Sequence, residues 1–319
     1  MNAEDTRIHD HVRHRALIAR CRNLPPTRTA VVHPVDPLSI QGAVEAARIG
    51  LITPVLVGPE ARIRAAAVEA SADISQFALI AAPHSHAAAA EAVRLARNGK
   101  VEALMKGSLH TDELMHEVML SENGLRTERR VSHVYIFDVP SYPRPLLVTD
   151  AAINIAPTLS EKCDICQNAI DLAHILGIPM PKVAILSAVE TVNERLPSTI
   201  DAAALCKMAD RGQILGGILD GPLAFDNAVS MEAARAKHIV SPVAGQADIL
   251  LVPNIEAGNI LAKQLTFFDH ADAAAIVLGA RLPIILTSRA DSVQTRIASC
   301  AVAALVADTR RHAVLVSAD

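Results

Sequence analysis

The chain carries a run of polar side chains, Thr-Ser-Arg-Ala-Asp-Ser at 287–292, at the predicted start of its last helix. The first backbone N–H groups of a helix are unpaired and partly positive, so this run can hold a phosphate and still supply a proton acceptor. The alternative is ordinary capping, with Asp291 or Ser292 as the N-cap and Arg289 in solvent. Ser288 lacks the Gly-X-Ser-X-Gly turn of a hydrolase nucleophile. We therefore assign Ser288, Arg289 and Asp291 to a candidate catalytic site.

A second polar run, Lys-Gly-Ser-Leu-His-Thr-Asp at 106–112, follows the predicted strand 101–105. It combines a cation and hydroxyls with a helix N-terminus, and these groups suit an oxyanion. Capping by Thr111 or Asp112, with His110 as a bystander, is the simpler alternative. His110 and Thr111 are the candidate substrate ligands of this run.

Two more predicted strands lead into acidic residues. Asp150 and Asn154 follow one of these strands, and Asp220 comes directly after the other. Because ligands of open parallel sheets bind at the carboxyl ends of strands, these residues are candidate substrate ligands. Asp220 and Asp226 together could bind a divalent cation or act as acid and base. The structural alternative is a turn followed by an Asp226 N-cap, so Asp220 is the better functional candidate.

Gly258 and Asn259 interrupt a helical pattern, in which both are poor helix formers. Close approach of another backbone or of a ligand would explain them. We include both residues among the candidate substrate ligands.

Three arginines, Arg126, Arg129 and Arg130, precede the predicted strand that carries His133. In an acidic protein such a group is a plausible dock for a polyanion, and a solvated loop is the equal alternative. Arg130 and Ser132, which flank the start of the strand, complete the candidate substrate ligands.

The composition limits the classes of partner. Apolar residues make up 51% of the 319 residues and aromatic residues only 2%, which argues against a protein that stacks single-stranded nucleic acid. The net charge is -4, and no block of Lys or Arg is long enough to follow a phosphate backbone. We expect no nucleic-acid partner.

Cysteine usage and hydropathy indicate a cytoplasmic protein. The segment Met1–Arg22 lacks the apolar core of a signal peptide, and no stretch has the apolar length of a membrane span. Five scattered Cys suit a reducing compartment. Cys163 and Cys166 form a Cys-X-X-Cys motif without a second pair of ligands, so we interpret them as part of a buried helix face and expect no bound metal.

Short β-rich runs alternate with Ala-rich amphipathic stretches, which predicts an α/β fold with a largely parallel sheet. About eleven strands exceed one ordinary sheet, so we expect two sheets. The strands are expected at 29–32, 54–57, 78–81, 101–105, 131–138, 146–149, 183–186, 216–219, 249–252, 275–278 and 284–287. The clearest helices are expected at 37–49, 84–97, 161–176, 199–210, 256–265 and 291–307.

A chain of 319 residues exceeds what one hydrophobic core usually supports, so two domains, or one large α/β domain, are expected. The Pro-rich run 140–145 is the best place for the chain to leave the first domain. A second crossing near 281–283 would return the last strand and helix to it. We assign residues 1–144 with 283–319 to a discontinuous domain I, and 145–282 to domain II.

Taken in this order, the polar runs resemble the phosphate acetyl/butyryl transferases over nearly the whole chain, from about Thr29 to Ala307. The resemblance rests on Lys106–Gly107 with His110–Thr111, Thr149–Ala152, Lys182–Ser187, Asp220–Asp226, Val243–Asp248, Glu256–Asn259 and Thr287–Arg289.

This resemblance implies two three-layer α/β/α domains, similar to those of isocitrate and isopropylmalate dehydrogenases, with a cleft between them that holds coenzyme A and acyl phosphate. It implies reversible transfer of a short acyl group between coenzyme A and inorganic phosphate. Acetyl is the expected group and butyryl the alternative. The choice between them depends on the volume of the acyl pocket, and the run at 287–292 looks closer to the butyryl-like branch of the family. Coenzyme A is then a substrate, no metal or permanently bound cofactor is needed, and the assembly is commonly a homodimer.

The resemblance also implies roles for single residues. A Ser-Arg pair at the position of Ser288 and Arg289 lines the family's active site, and the Arg contacts phosphate. An Asp slightly further on takes the thiol proton of coenzyme A in the acetyltransferase branch. This sequence has Val-Gln-Thr at 293–295, and Asp291 is the nearest carboxylate.

Two other functions compete with acyl transfer. Metal- and NAD-dependent dehydrogenases share the architecture, but they need acidic residues around a divalent metal, and no Gly-rich cofactor fingerprint accompanies Asp220 and Asp226. Non-catalytic acyl-CoA-sensing domains of this type occur appended to other enzymes. We expect no such partner domain here, and the chain retains Ser288 and Arg289.

Overall fold

The computed structural model describes residues 12–289 and 291–316, with side chains at 13–289 and 291–312. The sequence predictions for Met1–Arg22 and for Ala290 therefore lie partly or wholly outside the described residues. Strands and helices alternate along the described chain, as the βαβ pattern predicts.

The strands are β1 (Thr27–Val32), β2 (Ile52–Gly58), β3 (Ala78–Ala81), β4 (Ala103–Lys106), β5 (Ser132–Asp138), β6 (Leu146–Thr149), β7 (Lys182–Leu186), β8 (Ile218–Leu223), β9 (Ile249–Leu251), β10 (Asp272–Leu278) and β11 (Ile284–Ile285). The helices are α1 (Val12–Arg20), α2 (Pro37–Arg48), α3 (Glu60–Glu69), α4 (Ser85–Arg97), α5 (Thr111–Met119), α6 (Leu159–Ile175), α7 (Pro197–Asp210), α8 (Phe225–Val229), α9 (Met231–Ala236), α10 (Ile255–Phe267) and α11 (Val293–Val316).

The strands form one sheet, so the expectation of two sheets is wrong. Within the described residues its eleven strands follow the order β3-β2-β1-β4-β11-β10-β5-β6-β9-β7-β8. The two halves join because β10 and β5 pair antiparallel over their whole lengths, from Asp272 with Asp138 to Leu278 with Ser132. This pairing leaves no sheet edge between the halves.

Each half of the sheet is a parallel block. Strands β3, β2, β1, β4 and β11 are parallel to one another, as are β6, β9, β7 and β8. Because β10 pairs antiparallel with β11 and β5 pairs antiparallel with β6, the blocks run in opposite directions. The last strand, β11, lies beside β4, in line with the expected return of the chain to domain I. The exact domain boundaries stay a prediction.

The two faces of the sheet are covered differently. On one face a single core spans both blocks, from Val31 to Ile249, and α11 packs across its centre through residues such as Val302. On the other face the cores are separate. One lies under α4 and α5, and the other lies under α8, α9 and α10. The gap between these two cores leaves room for a cleft over the central strands, as expected for this fold class.

Asp220 lies inside a strand rather than after one, which corrects the predicted loop. Strand β8 continues through Pro222 to Leu223 and pairs with β7 at Asp220 and again at Leu223. Proline is tolerated here because β8 is the outermost strand of the sheet and needs hydrogen-bonding partners on one side only. Asp226 is in the first turn of α8, whose N-cap is Ala224.

The cysteine pair lies on helix α6, as the sequence predicts. Cys166 is fully buried in the core, and Cys163 packs at its margin. Among the described residues no cluster of three or more His, Cys, Asp or Glu is arranged to hold a metal ion. No helix in the described part of the chain combines the length and apolarity needed to cross a membrane.

Gly258 is explained by close backbone packing. A Cβ at this position of α10 would lie 2.8 Å from the carbonyl oxygen of Asp150 and 3.0 Å from Cα of Ala151. The helix therefore touches the backbone that follows β6, which is the first of the two explanations offered by the sequence.

We expect Gly258→Ala to lower the free energy of unfolding. Helix propensity alone would stabilise the variant by about 1 kcal/mol, whereas crowding in a packed interior costs about 1–3 kcal/mol. Urea unfolding of the two proteins measures the difference. A more stable variant would mean that the segment after β6 moves away without cost.

Candidate functional site

A cleft of about 600 Å³ opens between the two separate cores. One wall consists of Lys106, Leu109, His110 and Thr111 together with residues 286–289, and the other consists of Ala152, Ile255, Glu256, Asn259 and Lys263. Tyr135 of β5 contributes to the cleft from the centre of the sheet. Lys106, Lys263 and Arg289 outnumber Glu256 among the lining charges, so the cleft attracts anions.

Lys106 is a buried cation at the end of β4. Its side chain is nearly inaccessible, and its ammonium lies 3.4 Å from the carbonyl oxygens of Gly107 and Thr287. Burial, together with repulsion from Arg296 and Arg289, lowers the pKa of Lys106 to about 8. An ammonium has three donors, and these two long contacts satisfy it poorly. Lys106 is therefore suited to bind an anion in the cleft.

Ser292, and not Asp291, is the N-cap of α11. The Ser292 hydroxyl accepts a hydrogen bond of 3.1 Å from the Thr295 backbone N–H. Asp291 instead accepts a hydrogen bond of 2.6 Å from the Ser288 backbone N–H. Burial raises the pKa of the Asp291 carboxyl, although that hydrogen bond and the nearby Arg296 and Lys106 oppose the effect. The carboxylate is thus tied to Ser288 rather than to the helix.

Arg296 holds the loop before α11 in place. Its guanidinium is buried and donates hydrogen bonds to the Thr287 hydroxyl (2.9 Å) and to the Ser288 carbonyl oxygen (3.0 Å). Burial lowers the pKa of Arg296, and Asp36 and Asp291 oppose this. Arg296 touches the lining residues rather than the cleft, so it is a positioning residue.

Sequence reasoning missed Arg296, although a signal exists. Arg296 comes one turn after the Ser292 cap and is followed by the apolar run 297–307, so it is a single charge at the start of a buried helix. The backbone of α2 accommodates it at Gly42, where a Cβ would lie only 2.7 Å from the Arg296 Cδ. The missing side chain of the glycine in α2 therefore leaves the space that the arginine side chain of α11 occupies.

Five of the candidate site residues line the cleft: His110, Thr111, Asn259, Ser288 and Arg289. His110 also begins α5, where its backbone N–H donates to the Glu113 carboxylate at 2.9 Å, so its capping position and its exposure to the cleft coexist. The roles of all five residues in binding or catalysis stay predictions.

Four other candidates form a hydrogen-bonded network outside the cleft lining. Asp150 accepts hydrogen bonds from the backbone N–H groups of residues 152–154 and from the Asn154 amide. Asn154 accepts from Arg130 Nε at 2.7 Å, and Ser132 accepts from Asn168 at 2.8 Å. Because Ala152 lies in the cleft wall, this network supports that wall. A direct role in substrate binding stays a prediction, as it does for Asp220 in β8.

The arginine group at 126–130 is partly neutralised. Arg129 pairs with Asp171 at 2.5 Å, and Arg130 pairs with Glu161 at 2.9 Å. The Arg130 backbone N–H also donates to Asp164. The carboxylates of α6 thus lower the positive charge that the sequence offers to a polyanion.

Comparison with known proteins identifies the family. The family model described as "Phosphate acetyl/butaryl transferase" matches residues 85–304. The chain is 64% identical to the phosphate acetyltransferase of Rhizobium meliloti over 93% of this chain and 94% of that protein. It is 41% identical to the phosphate butyryltransferase of Clostridium acetobutylicum, over 92% of this chain and 98% of that protein.

The fold comparison agrees with the sequence comparison. The crystal structure of a branched-chain phosphotransacylase from Enterococcus faecalis V583 superposes with a TM-score of 0.76 at 32% identity, covering 88% of this chain and 99% of the other. The predicted fold class and the predicted family are both confirmed. The chain belongs to the phosphate acetyl/butyryl transferase family and is an acyltransferase.

Proposed function

We propose that this chain transfers a short acyl group reversibly between coenzyme A and inorganic phosphate in the cleft, with acetyl as the main group. The observation that carries the proposal is that Lys106 and Arg289 line one cleft together with Ser288, whose backbone N–H is bonded to the Asp291 carboxylate. A buried ammonium and a guanidinium suit a phosphate, and a carboxylate beside them suits a thiol proton. Family membership supports the same reaction.

The reaction needs few protein groups. In the direction of acyl-CoA formation, the Asp291 carboxylate takes the proton of the coenzyme A thiol, whose pKa is about 8.5 in a model thiol. The thiolate sulfur attacks the acyl carbonyl carbon. Arg289 stabilises the resulting oxyanion, and the bond from that carbon to the phosphate oxygen then breaks. Phosphate leaves as an anion and is held by Lys106 and Arg289.

Positioning supplies much of the catalysis. Phosphate is a good leaving group, so the protein's main task is to hold two anionic substrates with the sulfur next to the carbonyl carbon. Arg296 and the Asp291 carboxylate fix the Ser288 backbone from opposite sides, through its carbonyl oxygen and its N–H. Both contacts are present before substrate binds, so the loop needs little reorganisation to reach this geometry.

Several further properties belong to the proposal. We infer that the substrates are acyl-CoA, acyl phosphate and inorganic phosphate, that turnover needs no metal or permanently bound cofactor, and that the assembly is a homodimer. A cytoplasmic location is supported by the five cysteines, all of which are free thiols. The dehydrogenase alternative finds no support in the named relatives. The acyl-CoA-sensing alternative remains an outcome of the assay below.

We expect phosphate-dependent release of free coenzyme A from acetyl-CoA, with acetyl phosphate formed in equal amount. A thiol-reactive dye measures the release, omission of phosphate gives the background hydrolysis, and a chelator should leave the rate unchanged. No phosphate-dependent release from acetyl-, propionyl- or butyryl-CoA would sink the proposal. Tight binding of acyl-CoA without turnover would instead favour a sensor.

We expect the KM for phosphate to rise above pH 8. The pKa of Lys106 lies at about 8, so its ammonium is charged below that pH and loses its proton above it. In the direction that consumes acyl-CoA and phosphate, no free thiol reacts, so the titration of coenzyme A does not interfere. The KM should increase about tenfold by pH 9.5, since a charge-assisted hydrogen bond is lost.

Two variants test this assignment. Lys106→Met should have a raised KM for phosphate at all pH values and no step near pH 8. Lys100→Met removes an exposed lysine and should behave as the parent protein. A step near pH 8 that persists in Lys106→Met would assign the titration to another group.

We expect Asp291→Asn to lower kcat for coenzyme A acylation by about 10²–10⁴-fold, the usual contribution of a general base. The amide oxygen of Asn can still accept the Ser288 N–H, so the loop keeps its geometry while the base is lost. Asp112→Asn, at an exposed carboxylate on α5, controls for the change in net charge. Full activity of Asp291→Asn would exclude Asp291 as the base.

A further inference from the structure

Tyr135 is the central side chain of the cleft. Along β5, Val134 and Ile136 belong to the core shared by both blocks, whereas Tyr135 and Phe137 point to the opposite face. Phe137 is fully buried there, and Tyr135 is the residue of this strand that lines the cleft. Its ring therefore rises from the sheet between the two walls.

The Tyr135 ring is held by aromatic neighbours on its own strand. It packs edge-on against His133 with a centroid distance of 4.5 Å and stacks on Phe137 at 5.2 Å. His133 is fully buried, and burial lowers its pKa, which favours a neutral and apolar contact surface. A ring held by two buried neighbours cannot swing aside at low cost.

The ring also lies near the reacting atoms of the proposed function. Burial, together with the negative charge of the Asp291 carboxylate, raises the pKa of the Tyr135 hydroxyl to about 12. The acyl carbon is bonded to the sulfur whose proton Asp291 handles. Tyr135 lines the same cleft as Arg289 and Ser288, and the Ser288 N–H holds Asp291, so we place the acyl chain against the Tyr135 ring.

Both walls of the cleft also contribute apolar side chains. Leu109 and Leu286 are buried residues of one wall, and Ala152 and Ile255 belong to the other. The phosphate end is occupied by Lys106 and Arg289, so an acyl chain gains nothing by pointing there. The apolar region around Tyr135 is the part of the cleft that suits a hydrocarbon chain.

We propose that Tyr135 is the specificity-determining residue for the length of the acyl chain, so that acetyl and propionyl fit against its ring and butyryl does not. This inference rests on the proposed function and adds the substrate class to it. The ring restricts the chain by its volume, and its hydroxyl is not required for this. Apolar pockets discriminate single methylene groups by about 10–200-fold, which is enough to separate acetyl from butyryl.

The test compares kcat/KM for butyryl-CoA and acetyl-CoA in the phosphate-dependent assay of thiol release. The parent protein should favour acetyl-CoA. Tyr135→Ala should raise the ratio of butyryl to acetyl by at least about tenfold, mainly through a lower KM for butyryl-CoA. Tyr135→Phe keeps the ring volume without the hydroxyl, so its ratio should stay within about twofold of the parent ratio.

The outcomes separate this inference from the proposed function. No thiol release from any acyl-CoA by the parent protein defeats the proposed function and this inference with it. An active parent protein whose ratio is unchanged by Tyr135→Ala defeats the inference alone, as does a parent protein that uses butyryl-CoA as well as acetyl-CoA. If Tyr135→Ala does not fold, as judged by circular dichroism, Tyr135→Leu replaces it, because Leu preserves an apolar surface while shortening the side chain.

Discussion

The antiparallel pairing of β5 with β10 is the interaction on which the rest of the structure depends. These two strands join the parallel blocks into one sheet and reverse the direction of the second block relative to the first. In a fully parallel sheet the carboxyl ends of all strands would lie at one edge. Here the ends of β4 and β11 and the end of β6 lie in opposite blocks, and the cleft between the separate cores receives side chains from both.

The same pairing explains why the two faces of the sheet differ. The continuous core on one face includes Val134 and Ile276, so α11 covers the joining strands and ties the blocks together. On the other face the helices of each block end short of the joint. A cleft at this position has a rigid base, because that base is the middle of the sheet and α11 packs against the opposite face of the same sheet. Such support favours precise placement of substrates.

The burial of two cations near the end of β4 makes an unfavourable contribution to the free energy of folding. Lys106 and Arg296 are both nearly inaccessible, and burying either cation is unfavourable unless it finds partners. The Arg296 guanidinium donates hydrogen bonds to the Thr287 hydroxyl and to the Ser288 carbonyl oxygen. Lys106 has only two long contacts to carbonyl oxygens. A bound phosphate would pair with the poorly partnered Lys106 ammonium. Part of the unfavourable free energy of burying that charge would then be offset by the free energy of phosphate binding.

The sequence predicts the alternation of strands and helices well, because each of these elements has its own local pattern of apolar and polar residues. All eleven strands expected from periodicity exist within the described residues, and 78–81 and 146–149 agree at both ends. The failures concern relations between distant segments. Nothing local to β5 or β10 specifies that they pair antiparallel and merge two sheets into one. The extension of β8 through Pro222 likewise depends on its place at the sheet edge, which only the tertiary structure determines.

The candidate site was predictable to a similar extent. Polar residues just after β4 and β11 are candidates because strand ends are where ligands bind. His110, Thr111, Ser288 and Arg289 line the cleft, whereas Asp291 lies behind the lining, bonded to the Ser288 N–H. Asp150 follows a strand as well, yet its carboxylate accepts hydrogen bonds from the backbone N–H groups of residues 152–154. Position along the chain indicates which residues can reach a cleft. It does not indicate whether a local hydrogen bond already occupies them.

In the proposed mechanism Asp291 takes the place of the carboxylate that the family resemblance implies further along the chain. Positions 293–295 fall in the first turn of α11, where Thr295 is engaged with the Ser292 cap through its backbone N–H and its hydroxyl. Asp291 precedes the cap and lies in the loop with Ser288, to whose N–H it is bonded. An acid in this loop is fixed to Ser288, which lines the cleft. An acid in the helix would need to reach back from it. A base in the loop also requires that another group caps the helix, and Ser292 does so.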